Sequence, residues 1–339
     1  MDRLLHDPLG TFPMPPELAA LPKADIHVHA EWLARLDRAL ARRERRPGHD
    51  WRAWVTRVMA EPPGASRLSH LSTTQLVTDE MDAIPENFVA RVQDLLEEAA
   101  ADGAILVEVR FGKDMDRPDF MALFREAERR VRARYPRFRA QAIAVLMLWQ
   151  EPDALETLIQ TCIDMAAAGM LYGVDFLYRP YIAEADWGTA YRVAARLAEA
   201  GLGVTAHVGE FSTANIVAAA QTPGIIRFGH ATYAGYHPHL LDLLAAKQIT
   251  VECSLSCNVV LGAAESYEAH PVRQFVAHGV PVALCTDDPV QVCTTIGREY
   301  AIAHALGFSE ADLLGFTRNA INAAFIAPDQ RAALLAELT

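Results

Sequence analysis

Two histidines one residue apart, in Ala24-Asp25-Ile26-His27-Val28-His29-Ala30-Glu31, are the first residues of this chain equipped for chemistry. Alternate side chains of a strand share a face, so both imidazoles can reach one ion. Three further stretches carry groups of the same kind: His207-Val208-Gly209-Glu210, Phe228-Gly229-His230 and Thr286-Asp287-Asp288-Pro289. Zinc accepts imidazole nitrogen and carboxylate oxygen, and a catalytic zinc keeps one position for water. A carboxylic acid beside such an ion, but not bound to it, can pass protons to a reacting group. Each stretch also has a plainer reading. A histidine at a strand end is commonly a hydrogen-bonded core residue, and Asp287-Asp288-Pro289 can cap a following helix. Against the plainer readings stands a shared position, since all four stretches fall at the carboxyl ends of expected strands.

Those strands alternate with helices. The apolar runs predict strands at about 24–29, 104–111, 140–148, 171–177, 203–207, 225–230, 249–254 and 280–286. Helical spacing separates them, at 87–101, 118–134, 153–168, 186–200, 213–221, 239–246 and 271–278, and three helices finish the chain. Alternation of this kind implies a parallel sheet with crossovers. Eight such units at this length predict a closed (β/α)8 barrel of the α/β class, whose active site lies at the carboxyl ends of the strands. An open doubly wound sheet shares the periodicity. Residues 1–22 read as an irregular, proline-rich lead-in. Residues 31–85 form a long, largely helical insertion after the first strand, with helices at about 31–46 and 51–59 and a polar stretch up to Pro85. Connections this long are commonly lids or binding loops, so the insertion is a candidate cover for the barrel mouth, or else an outer helical layer. The expected organisation is one barrel domain over 1–339.

Composition narrows the function. With 339 residues, 51% of them hydrophobic and 22% charged, the chain is ordinary globular material. Its formal charge of −12 speaks against general nucleic-acid binding, and the basic run Arg42-Arg43-Glu44-Arg45-Arg46 reads as a solvated helix face. No run of 18 apolar residues and no basic-then-apolar leader is present, which predicts a cytoplasmic protein away from membranes. The five cysteines, odd in number and set in apolar segments, read as reduced buried thiols. Cys253 and Cys257 lack a second Cys/His pair at zinc-finger spacing. There is no Gly-x-Gly-x-x-Gly after the first strand and no Gly-Lys-Ser/Thr loop.

Taken together, Leu21-Pro22-Lys23-Ala24-Asp25-Ile26-His27-Val28-His29, His207-Val208-Gly209-Glu210, Gly229-His230-Ala231 and Thr286-Asp287-Asp288-Pro289 resemble the adenosine/adenine deaminase family of metal-dependent aminohydrolases. Further matches are Glu108-Val109-Arg110-Phe111, Tyr172-Gly173-Val174-Asp175, Glu252-Cys253-Ser254-Leu255-Ser256-Cys257-Asn258-Val259 and His270-Pro271, so the resemblance runs from about Leu21 to Asn322. It implies one zinc ion per chain, held by His27, His29, His207 and Asp287. Glu210 would donate a proton to the ring nitrogen beside the attacked carbon. His230 would position the attacking hydroxide, and Asp288 would bond the purine's imidazole-ring nitrogen. The His-x-Glu and Pro-Cys-x-x-Cys signature of the cytidine-deaminase type is absent.

The chemistry matches the family pattern more closely than the substrate contacts do. After the second histidine, nucleoside deaminases of the family usually carry an apolar residue, Asp and Gly, where this chain has Ala30-Glu31-Trp32. The Asp contacts a ribose hydroxyl in the nucleoside enzymes, while Glu is usual in relatives acting on free adenine. Trp32 can stack on a substrate or pack in the rim. On the fourth strand, beyond Asp175, Tyr178 stands where the family keeps a glycine for close backbone approach. The expected substrate-binding set is therefore Glu31, Trp32, Asp175, Tyr178 and Asp288. The expected substrate is an amino-substituted purine, adenine- or adenosine-like, or another aminated heterocycle such as a modified adenine or a pterin. The rival from another class is a metal-containing binding module without catalysis. The sequence leaves the oligomeric state open.

Overall fold

The computed structural model describes residues 5–71 and 76–338, with the backbone alone at Trp32 and Leu71. A short helix α1 (Pro16–Ala20) precedes β1 (Lys23–His29). The excursion follows as α2 (Trp32–Glu44), α3 (Trp51–Ala60), α4 (Ala65–Leu71) and α5 (Asp79–Ala83), and α6 (Pro85–Ala101) brings the chain back to β2 (Ala104–Phe111). The alternation then runs α7 (Phe120–Arg132), β3 (Arg139–Met147), α8 (Pro152–Ala167), β4 (Gly173–Leu177), α9 (Gly188–Glu199), β5 (Gly203–Val208), α10 (Ile216–Ala220), β6 (Ile225–His230), α11 (Pro238–Lys247) and β7 (Thr250–Cys253). After it come α12 (Leu255–Leu261), α13 (Val272–Ala277), β8 (Val282–Leu284), α14 (Ile296–Ala305), α15 (Glu310–Ala323) and α16 (Pro328–Ala336).

The strands form one eight-stranded sheet in sequence order, and every neighbouring pair is parallel. Parallel strands buried on both faces read as continuous apolar runs, as Ala104–Phe111 does with every residue buried. A parallel bridge between Val28 and Asp287 brings the end of the sheet back to its first strand. There the His29 amide donates to the Asp287 carbonyl at 2.9 Å, and the Asp287 amide donates to the His27 carbonyl at 2.7 Å. The fold is the expected (β/α)8 barrel. Beyond β8 the last helices wrap back, with α15 packed against β8 and β1.

Charge fills much of the barrel interior. Arg227 pairs with Glu108 at 2.5 Å and with Glu252 at 2.7 Å, and Arg110 pairs with Glu252 at 2.6 Å and Asp175 at 2.7 Å. All five side chains are fully buried, a placement tolerated only with partners. Beneath them the Phe325 ring lies against Arg227, 3.8 Å from the guanidinium carbon. Gly173 and Gly203 leave room for that ring, because a Cβ on either would come within 2.2 Å of it.

The structure departs from the periodicity in three places. The lead-in contains α1, and the polar stretch before Pro85 contains α4 and α5. The third is α12: all seven of its residues are buried, so no polar face marks it as a helix. Among the described residues, no helix is long and apolar enough to cross a membrane.

Candidate active site

The carboxyl ends of β1, β5, β6 and β8 deliver four side chains to one point. Ligand atoms of His27, His207, His230 and Asp287 all lie within 4.8 Å of one another. His29 joins them, its Nε2 3.2 Å from Nε2 of His207 and 3.4 Å from Asp287 Oδ1. His27 Nε2 is 3.3 Å from the same oxygen, yet it is buried without a hydrogen-bond partner among the described residues. Burial and Arg110 disfavour charge on His27, but Asp287 and Glu252 outweigh them and lift its pKa to about 9, so this pocket favours a positive charge. Burial pushes His29 down to about 3, which leaves a neutral nitrogen. The neutral nitrogen of His29, the Asp287 carboxylate and the unpartnered His27 Nε2, where a cation would take the place of a proton, fit an ion such as zinc.

Groups behind the cluster fix its orientation. His27 Nδ1 lies 2.7 Å from Glu252 Oε2, and His207 Nδ1 lies 3.1 Å from Asp175 Oδ1. Arg110 joins the two carboxylates. An imidazole that gives its Nδ1 proton to a carboxylate keeps Nε2 bare for an ion. Gly229 on β6 leaves room for the His27 ring, since a Cβ there would lie 2.8 Å from His27 Cε1. His230, Ala231 and Asp287 hold left-handed backbone at φ +68°, +48° and +65°. Such strain costs on the order of 1–3 kcal/mol per residue and gathers at functional sites.

Glu210 borders the cluster. The Tyr181 hydroxyl donates to its Oε2 at 2.7 Å, while Oε1 has no partner among the described residues. Burial, then the charge of Asp287, pushes the Glu210 carboxyl up to about 8, so it holds a proton at neutral pH. Burial, then Asp287, Glu31 and Glu210, also raises Asp288 well above the usual carboxylate range. Both acids can therefore donate hydrogen bonds.

Above the cluster opens a cavity of about 860 Å³. His29, His207, His230, Glu210, Asp287 and Asp288 line its depth, Leu33, Ala34, Ala65 and Leu68 of the excursion contribute a wall, and Trp149 and Arg179 also border it. Tyr178 lines it too, packed edge-on against Trp187. Two of the expected substrate contacts are placed otherwise. Asp175 sits behind His207 rather than at the cavity. Glu31 reaches the cavity edge, but its carboxylate accepts from the Val290 and Gln291 amides at 3.0 and 3.2 Å and from Arg35 Nε at 3.2 Å. The side chain of Trp32 lies outside the described residues.

Tyr181 and the Arg110–Glu252 pair are contributions that motif reading assigned no role. Arg110 and Glu252 left a signal as charges inside apolar strands, which need partners. Tyr181 left none.

The model of a family described as adenosine deaminase matches residues 22–339. An adenosine deaminase of Shewanella loihica is 38% identical over 143 residues, covering 42% of this chain and 43% of that protein. An adenine deaminase of Rhizobium leguminosarum bv. trifolii is 37% identical over 159 residues, covering 45% and 48%. The chain thus spans less than half the length of these two relatives in alignment. Among solved structures, an amidohydrolase from Burkholderia ambifaria with bound Zn superposes with a TM-score of 0.75 at 22% identity, over 95% of this chain and 90% of that one. An adenine deaminase from Arthrobacter aurescens superposes with a TM-score of 0.74 at 22% identity, over 94% and 98%. These two share the fold.

Proposed function

The chain belongs to the adenosine deaminase family, and from that premise we propose that it is a zinc-dependent aminohydrolase that replaces the ring amino group of an aminopurine with oxygen and releases ammonia. The observation that carries the reading is the gathering of His27, His207, His230 and Asp287 around one point, with buried Glu210 beside it at 3.8 Å from His230. His27, His29, His207 and Asp287 would hold one zinc ion per chain. That ion would lower the pKa of water toward about 7 and make hydroxide available at neutral pH.

The chain's own groups do the rest. Glu210, oriented by Tyr181, passes the proton on its free oxygen to the ring nitrogen beside the attacked carbon. His230, 3.8 Å from carboxylate oxygens of both Glu210 and Asp287, lies where it can steady charge developing between them. Asp288, its carboxyl raised by burial and by Asp287, would bond the imidazole-ring nitrogen of the purine. Water enters, the amine leaves as ammonia, and a ring carbonyl results. The domain would act as one unit over 1–339, with residues 31–85 covering the mouth. Five free cysteines suit a cytoplasmic setting.

A second reading within the same chemistry is a free or ring-substituted base rather than a nucleoside. It is favoured by Glu31, whose carboxylate is buried and already engaged by Arg35 and two amides rather than held free for a ribose hydroxyl. The test is ammonia release from zinc-loaded protein offered adenine, adenosine, guanine, substituted adenines and pterins. A product with a new ring carbonyl identifies the substrate. Zinc-replete protein inert across the panel would instead favour a binding module.

A further inference from the structure

Behind His27 and His207 stand carboxylates; behind His230 stands an amide. Asn258 Nδ2 lies 3.1 Å from His230 Nδ1, and Asn258 Oδ1 lies 3.1 Å from His270 Nε2. The far end of the series is unambiguous, because the backbone amide of Val272 donates to His270 Nδ1 at 3.1 Å. Having accepted there, neutral His270 carries its proton on Nε2 and donates it to the asparagine oxygen. The Thr232 hydroxyl donates to the same oxygen at 3.2 Å. The asparagine NH2 is thereby turned to His230, whose Nδ1 accepts. His230, Asn258 and His270 are all buried, so water does not compete with these bonds.

We infer that His270 and Asn258 are positioning residues that fix His230 as the Nε2–H tautomer, so that it enters the reaction as a hydrogen-bond donor. Each member has one arrangement that satisfies its neighbours, and the direction is set by a peptide N–H that cannot reverse. Burial keeps His270 neutral, its pKa pushed down to about 3. The inference rests on the deaminase reading for what the donor does, while the tautomer itself is a property of the folded protein. It also gives α12 a task, since this buried helix carries Asn258 to the back of the site.

Asn258→Asp tests the direction with little change of shape. A carboxylate cannot donate to His230, so the imidazole must place a proton on Nδ1. In zinc-loaded, full-length protein labelled with 13C and 15N, with His230 assigned through its backbone, the wild type should show bare Nδ1 and protonated Nε2. Asn258→Asp should show Nδ1 protonated. With adenine and adenosine as probes, Asn258→Asp should lower kcat roughly a hundredfold at unchanged KM and zinc content. His270→Gln, whose amide can still donate to Asn258, should stay within about threefold of wild type, while His270→Leu should fall with Asn258→Asp. A wild-type His230 protonated on Nδ1, or an Asn258→Asp protein with unaltered His230 resonances and kcat, overturns the inference. If wild type turns over neither probe but shows the expected tautomer, the substrate reading fails and the positioning stands. The wild-type spectrum decides the matter even if a variant does not fold.

Discussion

At the barrel rim, His27, His207 and Asp287 are almost wholly buried, and each is gripped from behind or from the side by a charged group or a peptide bond. In the excursion that contributes a wall of the cavity, Ala65 is exposed and Leu68 half-buried where they face it. Precision thus sits on the strands, where a shift of one ångström would separate nitrogen from ligand. The helices above contribute apolar area that tolerates small movements. The two regions meet at Glu31, whose carboxylate joins the start of α2 to the segment following Asp288. The ligand cluster and the wall of the cavity thus carry different mechanical demands.

The sharpest break is Glu210→Gln, which keeps the shape but removes the acid. Turnover should fall by about 10³-fold or more, with zinc content by metal analysis and the circular dichroism spectrum unchanged. Ammonia release near the wild-type rate would remove Glu210 from the proton-transfer role. Next comes Glu252→Gln, which weakens the carboxylate behind His27. Zinc affinity by competition with a chelator should drop about ten- to a hundredfold, while unaltered affinity would make the charged layer merely structural.

A smaller effect concerns pH. Burial holds His270 at a pKa of about 3, below its ordinary 6.5. A group depressed in this way binds a proton in the unfolded chain first, so its stabilisation is present above pH 6.5 and is lost as pH falls toward 3. Lowering pH from 6.5 to 5 should cost about 2 kcal/mol from this residue, as an order of magnitude. Urea unfolding at the two pH values measures it, and His270→Gln should show a shallower dependence. Equal slopes would assign the acid sensitivity elsewhere. The smallest change belongs to the excursion: Leu68→Ala should raise KM by about fivefold at most and leave kcat alone, as expected for loss of modest apolar contact. A large kcat loss would mean that the excursion takes part in the chemistry and would erase the contrast with the rim.

Most of the barrel was legible because parallel strands leave continuous apolar runs: β2 and β6 have the expected limits, and β5 extends one residue further. Helices with one wet face were legible for the same kind of reason. Helix α12 was not, for want of a polar face, and α4 and α5 were hidden in a polar stretch. At the site, residue types and strand ends sufficed to anticipate that His27, His29, His207, Glu210, His230, Asp287 and Asp288 would come together. The engagement of the Glu31 carboxylate depends on amides at 290 and 291, far along the chain. Tyr181 likewise reaches Glu210 from a loop with no period of its own. Such contacts are made by folding, and local pattern does not carry them.

The bridge between Val28 and Asp287 has a consequence for how the molecule is assembled. Asp25 and Thr286, hydrogen-bonded beside that seam, are 261 residues apart in sequence. Contacts so distant form late and slowly, since the chain between them must first be gathered. His27 and His29 lie on one side of the seam and Asp287 on the other, so an ion shared among them would act as a clasp between the first and last strands. Its binding energy would then count toward the integrity of the ring itself. Chelation should accordingly speed hydrogen exchange first at the amides of His29 and Asp287, which bond across that seam.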